Sequence, residues 1–381
     1  MNSCDLEDQF NKCKELLFKI CFFSYFYPME KNSYTVVGVM SGTSLDGIDL
    51  ALLHFHFDGE KWTFDIGVAE TIAYNNQWIE KLKNGVNCTN DQLTTLNQDY
   101  TQLLGNIIRS FIEKHQLKNI DAVCSHGHTI LHQPQNGFTL QIGNLPEITA
   151  ICNQKVVCDF RVQDVQLGGQ GAPLVPIGDR LLFSEFDYCL NLGGFSNISF
   201  EQDGKRIAFD ISPVNTVLNF YANQLGFDYD DRGKIAQSGK LHSALLDALN
   251  ALDFYQKPFP KSLGFEYVKE VVLPLIESYS IPKEDKMRTF VEHVAIQIAN
   301  TLPINKGTLL VTGGGAYNDF MIERMRHYMP ELVITIPEPK VLEFKEALIF
   351  GLLGVLKLRG EINVLSSVTG AKTDHSSGVI Y

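Results

Sequence analysis

Residues 36–53, VVGVMSGTSLDGIDLALL, place a short run of glycine and hydroxyl residues between two apolar segments. The turn Ser41-Gly42-Thr43-Ser44 can bring backbone N–H groups close to a ligand, because glycine has no Cβ to obstruct the approach. Successive N–H groups form an anion-binding concavity, and the hydroxyl groups add further donors. This chemistry suits phosphate, although a single turn of this kind usually does no more than join two strands.

Two later stretches have a related composition. YCLNLGGFSNISF (188–200) is again a strand, a glycine turn and a strand, and GTLLVTGGGAYND (307–319) predicts a strand, three glycines and a helix. A helix N-terminus at such a turn favours negative or dipolar groups. Neither stretch matches the Walker phosphate loop or the GxGxxG fingerprint. Three such turns in this order nevertheless indicate a nucleotide site.

The remaining pattern predicts the elements that position these turns. Apolar residues spaced by three and four predict helices within residues 75–117, and IDAVCSHG (120–127) predicts a buried strand that ends in a polar loop. The nearly all-apolar stretch 341–360 predicts a buried helix. Further helices are expected at residues 213–225, 239–251 and 285–302. Because the strand–turn–strand pattern occurs twice, we expect a duplicated architecture with both glycine hairpins facing a shared cleft.

Length and charge narrow the class of protein. A chain of 381 residues is too long for one ordinary core, which favours two domains of roughly 150–200 residues. The formal net charge is -12 and no cluster of lysine and arginine interrupts it, which argues against a nucleic-acid partner or an anionic membrane. The eight cysteines form no CxxC pair and no zinc-ligand spacing, so we expect free thiols in a reducing cytoplasm.

The start of the chain carries an apolar, aromatic stretch, LLFKICFFSYFYP (16–28). It contains Lys19, follows acidic rather than basic residues and lacks a small-residue cleavage site, so it is not typical of a signal peptide. It is also too short to span a bilayer. We therefore expect residues 1–33 to form an extension outside the fold, with helical packing on the core as the alternative.

The motifs together resemble the anhydro-N-acetylmuramic acid kinase family, within the actin and sugar-kinase superfamily. The matching stretches are VMSGTSLDGID (39–49), SHGHTILH (125–132), LQIG (140–143), DFRVQDVQLGGQGAPLVP (159–176), LNLGGFSNIS (190–199), TGGGAYND (312–319) and EALIFG (346–351). The resemblance implies an α/β fold of two actin-like (ribonuclease H-like) domains around a nucleotide cleft. It places domain I at residues 34–188, joined by the C-terminal helix 343–359, and domain II at residues 189–342.

The resemblance also implies a coupled reaction. Water adds at C1 of anhydro-N-acetylmuramic acid and opens its 1,6-anhydro ring, while O6 receives the γ-phosphate of ATP. The expected partners are therefore the sugar, ATP and Mg²⁺, and a homodimer is left open. Another phosphotransferase of the superfamily, or a polyphosphate phosphatase, is the alternative function.

ATP-phosphate binding is implied for all three turns. In the first turn the matching positions are Gly42, Thr43, Ser44, Leu45, Asp46, Gly47, Ile48 and Asp49. In the later turns they are Gly193, Gly194, Gly313, Gly314 and Gly315. Asp46 is further expected to hold Mg²⁺ through water, with capping of the turn as its alternative role.

Asp210, in the stretch AFDISPVN, matches the catalytic aspartate of the family and is the expected general base. Inverting hydrolysis at an anomeric carbon needs a carboxylate that activates water on the face opposite the leaving oxygen. The sequence alone predicts instead that Asp210 caps the helix that begins near Pro213. The family commonly has Asp-Thr-Gly-Pro-Gly-Asn, so Ser212 and Val214 replace two glycines. This weakens the expectation of a backbone contact with phosphate at these positions.

Glu346 matches the glutamate of the family motif at the start of the last long helix and is the second expected catalytic residue, in contact with substrate. A partner for the helix dipole is its alternative role. Sugar binding is implied for His126, Gly127, Arg161, Gly169, Gln170 and Gly171. Arg161 is expected either to bind the lactyl carboxylate with two hydrogen bonds or to pair with Asp164 in a structural role.

Overall fold

The computed structural model describes residues 31–304 and 306–381. The extension expected over residues 1–33 lies almost wholly outside the described residues, and the first strand begins at Ser33. The strands in chain order are β1 (Ser33–Ser41), β2 (Ile48–Phe57), β3 (Trp62–Ile72), β4 (Ala122–Gln133), β5 (Phe138–Ile142), β6 (Val156–Cys158), β7 (Tyr188–Leu192), β8 (Phe195–Gln202), β9 (Lys205–Pro213), β10 (Gly307–Thr312), β11 (Leu332–Thr335) and β12 (Val379–Ile380).

Helices connect and cover these strands. In chain order they are α1 (Asn76–Asn84), α2 (Asn90–Lys114), α3 (Ile148–Cys152), α4 (Val162–Gln166), α5 (Pro176–Leu182), α6 (Asn215–Gln224), α7 (Lys234–Ser238), α8 (Ser243–Asn250), α9 (Asp253–Gln256), α10 (Phe265–Tyr267), α11 (Leu273–Glu277), α12 (Lys283–Thr301), α13 (Asp319–Tyr328), α14 (Pro339–Arg359) and α15 (Ser366–Thr369). The helices expected at residues 213–225, 239–251 and 285–302 are therefore confirmed as α6, α8 and α12.

The strands form two sheets that repeat one topology. The first contains β3, β2, β1, β4 and β6 in that order, with antiparallel pairing from β3 to β1 and parallel pairing from β1 to β6. The second contains β9, β8, β7, β10 and β11 with the same succession of antiparallel and parallel pairs. The expected duplicated α/β architecture of ribonuclease H-like units is confirmed. In addition, β5 pairs with β4 and β12 with β6.

Both sheets are buried on both faces. Alternate residues of a strand point to opposite faces, and in β10 Leu309 and Val311 join the outer core of the second sheet while Leu310 joins a core shared with the first. That shared core also includes Leu53 of β2 and Leu352 of α14. The first sheet has a second core on its outer face, formed with α1 and α2. Strand ends and their turns are consequently the parts of each sheet that can face a ligand.

Helix α14 lies in the core between the sheets, as its apolar sequence predicts. It begins at Pro339, and Phe344, with φ −110° and ψ 16°, interrupts its regular geometry. Leu342, before the interruption, packs in the outer core of the second sheet, whereas Ala347, after it, packs in the shared core. Among the described residues, no helix combines the length and apolar character needed to cross a membrane.

Candidate active site

The first glycine turn joins β1 to β2 and is closed by Asp46. Asp46 Oδ1 accepts hydrogen bonds from Ser44 Oγ at 2.7 Å and from the backbone N–H of Gly47 at 3.1 Å. The capping role considered for Asp46 is therefore present in the structure. Thr43, Ser44 and Asp46 are exposed, whereas the side chain of Ile48 is buried in the core. A ligand at this turn would therefore contact hydroxyl groups and backbone atoms. Of Ile48 it could contact the backbone alone.

Gly42 and Leu45 complete the same turn. The backbone N–H of Leu45 donates to Gly42 O at 3.4 Å, and Leu45 has a φ of 63°. The side chain of Leu45 packs against the outer core of the first sheet. The turn is thus anchored by one apolar side chain while its polar side chains stay open to solvent.

The second turn, Gly193-Gly194, joins β7 to β8. Gly193 O accepts a hydrogen bond from the backbone of Asn215 at 3.3 Å, and Gly194 O accepts one from Val214 at 2.8 Å. Both donors follow β9 directly. The second turn is therefore held against the end of the strand that carries Asp210.

The three glycines after β10 pack against the second turn. Gly313 has a φ of 82°, and a Cβ there would lie 2.5 Å from Asn191 Oδ1, so this position requires glycine. A Cβ on Gly315 would lie 2.7 Å from Leu192 Cβ. A Cβ on Gly314, by contrast, would have no atom beyond its chain neighbours closer than 4.0 Å. Gly314 therefore faces open space beside the second turn.

The predicted order of strand, three glycines and helix is confirmed, with a short 3₁₀ turn before the α-helix. Gly314–Tyr317 form a 3₁₀ turn, and α13 begins only at Asp319. Asn318 Oδ1 caps α13 by accepting the backbone N–H of Met321 at 2.9 Å. Glycine is a poor helix residue and asparagine a good N-cap, so the helix starts at the first suitable cap.

Replacing Gly314 by Val should weaken ATP binding about 10- to 100-fold, with sugar affinity and melting temperature nearly unchanged. The new side chain enters open space next to two glycine turns, so it competes with a nucleotide rather than with the fold. Calorimetric titration with each ligand measures the effect. Gly314→Ala is the matched control and should lose less. Equal loss of both ligands would contradict a nucleotide role for this turn.

His126 and Gly127 lie inside β4, which continues well past them, so the predicted loop at this point is wrong. Between Ser125 and His128, β4 has two residues where the paired part of β1 has one, so β4 contains a β-bulge here. Gly127 has a φ of 73°, and a Cβ there would lie 2.5 Å from Ile142 O. The bulge therefore requires glycine and changes the direction of the neighbouring side chain.

The bulge brings His126 to Arg161. Arg161 Nε donates to His126 Nε2 at 2.8 Å, and Arg161 Nη1 donates to Gly171 O at 2.6 Å. Nδ1 of His126 donates to Gly127 O at 2.9 Å, which fixes the neutral tautomer. Burial lowers the pKa of His126 well below its usual value, and the charge of Arg161 lowers it further. His126 is thus a neutral group that orients a cation.

Asp164 holds the segment of Gly169, Gln170 and Gly171. It is fully buried, and its carboxylate accepts the N–H of Gly171 at 2.6 Å and the hydroxyl of Thr369 at 2.7 Å. Gln170 donates its backbone N–H to Thr369 O at 2.8 Å and leaves its side chain exposed. The described residues include no ion pair within 4.0 Å between Asp164 and Arg161, although the charge of Asp164 favours the protonated form of Arg161 and raises its pKa against the effect of burial.

Glu346 lies on α14 near Arg161 and close to the first turn. Its side chain is accessible to solvent, yet enough protein surrounds it for burial to raise its pKa. Arg161 opposes this rise, whereas the charges of Asp49 and Asp46 add to it. Asp49 accepts a hydrogen bond from Thr71 Oγ1 at 2.6 Å. Three carboxylates and one guanidinium therefore lie beside the first turn.

Asp210 lies near the end of β9 and contacts a segment more than fifty residues away. Its Oδ2 accepts the backbone N–H of Leu263 at 2.8 Å, and its own N–H donates to Lys261 O at 3.0 Å. Burial raises the pKa of Asp210, and the hydrogen bond from Leu263 opposes that rise. The helix after β9 has Val214 at its N-cap and no side-chain cap, so the alternative of Asp210 as a helix cap is wrong.

Ser212, which replaces a glycine of the family motif, is accommodated by buried polar partners. Its hydroxyl donates to Pro213 O at 3.0 Å and lies 3.2 Å from Tyr255 OH. Tyr255 OH lies 2.9 Å from His293 Nε2, and His293 Nδ1 lies 2.7 Å from Asn250 Oδ1. Burial lowers the pKa of His293 to about 3, so this chain of hydrogen bonds is neutral. The serine at this position therefore has hydrogen-bond partners for its side chain.

The donor set of the first turn is compatible with Mg²⁺. No group of three or more metal-ligating side chains occurs within residues 31–304 and 306–381. Mg²⁺ in phosphotransfer sites usually takes only one or two carboxylates, with water and substrate phosphates as its other ligands. Asp49 and Asp46, whose charge raises the pKa of Asp49, provide such a pair.

The predicted residues fall into two groups. Asp46, Glu346, Arg161 and the sugar-binding candidates surround the ends of the first sheet, whereas Asp210 and the two later glycine turns belong to the second sheet. In the described part of the chain no hydrogen bond or ion pair joins Asp210 to Glu346. A surface depression of about 720 Å³ between α1 and α2 lies apart from both groups and includes Lys81 and Asp99.

Sequence reasoning missed several residues that hold the candidates in place. They are Thr369, Lys261, Leu263, Tyr255 and His293. Each belongs to a distant part of the chain, and three of them, Thr369, Lys261 and Leu263, act through backbone atoms. No motif or periodicity in the sequence marks such contacts.

Comparison with known proteins identifies the family. The family model for anhydro-N-acetylmuramic acid kinase matches residues 34–381. The chain belongs to this family. The anhydro-N-acetylmuramic acid kinase of Pseudomonas fluorescens is 35% identical over 365 residues, which cover 91% of this chain and 98% of the relative. The enzyme of a Sulfurovum species is 32% identical over 93% of this chain and 100% of the relative. That of Mannheimia succiniciproducens is 34% identical over 91% of this chain and 98% of the relative.

Membership in the anhydro-N-acetylmuramic acid kinase family confirms the resemblance inferred from the motifs, and with it a kinase of this α/β fold. The match begins at residue 34, one residue after the start of β1, and ends at the last residue of the chain. All three glycine turns and both carboxylates singled out above lie within it. The assignment of individual site residues and of the domain boundaries stays a prediction.

Proposed function

We propose that this protein is an ATP-dependent kinase that hydrolytically opens the 1,6-anhydro ring of anhydro-N-acetylmuramic acid and phosphorylates O6. The products would be N-acetylmuramic acid 6-phosphate and ADP. Family membership over residues 34–381 is the observation that carries the proposal. Glycine turns for phosphate on both sheets and a carboxylate near the end of β9 are the arrangement that this chemistry needs.

Asp210 is the proposed general base for ring opening. Its carboxylate removes a proton from water as the water oxygen bonds to C1 and the C1–O6 bond breaks. The electron pair released to O6 attacks the γ-phosphorus of ATP, and ADP leaves. Only Leu263 donates a hydrogen bond to this carboxylate among the described residues, through Oδ2, so Oδ1 is available to a water molecule.

Glu346 and Arg161 are the proposed contacts for the sugar. Arg161 keeps its Nη2 group without a hydrogen bond in the described residues, while Nε and Nη1 fix its orientation. A planar guanidinium held in this way suits a carboxylate such as the lactyl group of the sugar. Glu346, whose pKa is influenced by the charge of Arg161 and whose side chain is accessible, could accept hydrogen bonds from the sugar.

The first turn, with Asp46 and Asp49, is the proposed site for the ATP phosphates and Mg²⁺. When bound, the ion would neutralise phosphate charge during transfer. The five described cysteines carry free thiols, which supports a cytoplasmic location where ATP is present. There the reaction would serve the recovery of amino sugars from peptidoglycan.

The test is incubation of the protein with ATP, Mg²⁺ and anhydro-N-acetylmuramic acid, followed by mass spectrometry of the sugar. The expected product gains the mass of one water and one phosphoryl group. A reaction without added sugar, supplied with ATP or polyphosphate, tests the alternative of a phosphatase. Phosphate release without a sugar product would overturn the proposed function.

Gln170→Ala should raise the KM for the sugar about 2- to 10-fold, the loss of one ordinary hydrogen bond, without changing the KM for ATP. The side chain of Gln170 is exposed on the segment held by Asp164, so its removal leaves the fold intact. Gln166→Ala, at another exposed glutamine just before this segment, is the matched control and should behave like the wild type. An unchanged sugar KM in Gln170→Ala would exclude Gln170 from the sugar site.

A further inference from the structure

The segment Lys257–Gly264, here called the strap, runs between α9 and α10 without helix or strand structure. It lies against β9 and meets Asp210 twice. Lys261 O accepts the backbone N–H of Asp210 at 3.0 Å, and the backbone N–H of Leu263 donates to Asp210 Oδ2 at 2.8 Å. One short segment therefore holds both the backbone and the carboxylate of this residue.

Side chains of the strap fasten it at two points. The ring of Phe259 stacks on Phe209, the residue before Asp210, with centroids 4.9 Å apart and planes at 5°. Lys261 Nζ donates to Phe254 O at 3.3 Å and lies 4.7 Å from the centre of the Phe254 ring. Phe259 remains 42% exposed, so its stacking fixes the strap without making it part of the core.

The Leu263 N–H has two effects on the Asp210 carboxylate. It fixes Oδ2, so that the other oxygen has a defined direction toward a ligand. A hydrogen bond to the ionised form also favours that form and lowers the pKa of the carboxyl, against the effect of burial. A general base must be ionised to accept a proton, so both effects serve the same function.

We propose that the strap is a positioning element for Asp210, with the Leu263 N–H orienting the carboxylate and Phe259 anchoring the strap on β9. The inference rests on the proposed function, in which Asp210 is the general base. It assigns a role to a segment that contains none of the family motifs. Leu263 and Phe259 are positioning residues, since they act through Asp210.

The test is Leu263→Pro, which removes the N–H donor, with Leu263→Ala as the control that keeps it. Hydrogen bonds to charged groups are strong enough to move a pKa by about one to two units. We expect the acid limb of the kcat/KM profile for the sugar to move to higher pH by that amount in Leu263→Pro, and kcat at neutral pH to fall about 10-fold. ATP affinity should stay unchanged, and Leu263→Ala, which keeps the N–H donor, should leave the position of the acid limb unchanged.

The sign of the shift follows from the charge of the base. Asp210 must be deprotonated, so activity is lost as pH falls through its pKa. Without the Leu263 N–H that pKa is higher, and activity is lost earlier on acidification. A purely structural role for the strap would lower the amount of active protein but would leave the position of the acid limb unchanged.

A second variant keeps the proposal testable if Leu263→Pro does not fold. Phe259→Ala removes the anchor at an exposed position and should shift the acid limb in the same direction by a smaller amount. Phe265→Ala, 56% exposed just beyond the strap, is its matched control and should not shift it. The proposal is overturned if Leu263→Pro folds and its acid limb keeps the wild-type position. If Leu263→Pro does not fold, a wild-type acid limb in Phe259→Ala overturns it.

Asp210→Asn, measured in parallel, separates this proposal from the proposed function. Wild-type turnover in Asp210→Asn would show that Asp210 is not the general base, and the proposed role of the strap would then be rejected as well. An inactive Asp210→Asn together with wild-type acid limbs in Leu263→Pro and Phe259→Ala would overturn the positioning role alone.

Discussion

Asp210→Asn should lower turnover by about 10²- to 10⁴-fold while ATP and the sugar still bind. Asparagine has nearly the shape of aspartate and can still accept the N–H of Leu263, but it cannot take a proton from water. O6 becomes a good phosphoryl acceptor only as the C1–O6 bond breaks, so ring opening and phosphorylation should fall together. NMR of both products and calorimetry of both ligands measure these effects.

Asp203→Asn is the matched control for that experiment. Asp203 lies in the exposed turn between β8 and β9 with a φ of 51°, a conformation that asparagine tolerates. It should therefore keep wild-type activity and stability. Near-wild-type turnover in Asp210→Asn would reject the role of general base. Ring opening lost while phosphorylation persists would reject the coupling of the two steps.

The two-sheet topology could be predicted because its signals are local. Residues 36–53 and 188–200 each show two apolar strands around a glycine turn. In each case the two strands that pair follow one another directly in the chain. The apolar helix α14 is equally visible, since an all-apolar helix can only be buried. Its start at Pro339 and its interruption at Phe344 could not be predicted, because the first part of the helix packs against two different cores, Val341 in one and Leu342 in the other.

The polar stretch around His126 and His128 forms part of β4, although its composition predicts a loop. Its histidines, serine and glycine are typical of a loop, yet they continue a buried strand. The structure allows this because partners from other elements satisfy the polar groups: His128 Nδ1 lies 2.8 Å from Ser41 Oγ, which lies 2.7 Å from Tyr74 OH. Burial also lowers the pKa of His128 to about 4, so it is neutral there. The sequence does not reveal which distant residues supply such partners.

The same limit applies to the catalytic candidates. Asp210 and Glu346 were recognised by family motifs, but their surroundings depend on contacts that are distant in sequence. The N–H of Leu263 reaches Asp210 across 53 residues, and Arg161 reaches His126 across 35. Burial is the largest cause of the raised pKa of Asp210 and of Glu346, and contacts with distant residues oppose that rise, so the motifs alone do not reveal either pKa.

A buried ionic cluster links α14 to the second sheet, close to the interruption at Phe344. Asp179 Oδ1 on α5 lies 2.7 Å from Lys345 Nζ, and Asp179 Oδ2 lies 3.9 Å from Arg206 Nη2 on β9. Ser199 Oγ also donates to Asp179 Oδ2 at 2.5 Å. The side chains of Asp179, Lys345 and Arg206 are each no more than 8% exposed. One carboxylate thus balances two buried cations where α5, α14 and the second sheet meet.

Asp179→Ala should destabilise the protein by about 3–5 kcal/mol, the usual cost of leaving a buried charge without its partner. Lys345 would lose this carboxylate, and Arg206 would keep only Glu201, which is 45% exposed. Thermal unfolding should show a fall in melting temperature on the order of 10 °C.

Asp231→Ala is the control, because Asp231 and Lys234 pair at 2.7 Å with side chains 65% and 69% exposed. Such an exposed pair contributes little, so that variant should melt near the wild type. Equal melting temperatures for the two variants would show that the buried cluster does not stabilise the junction.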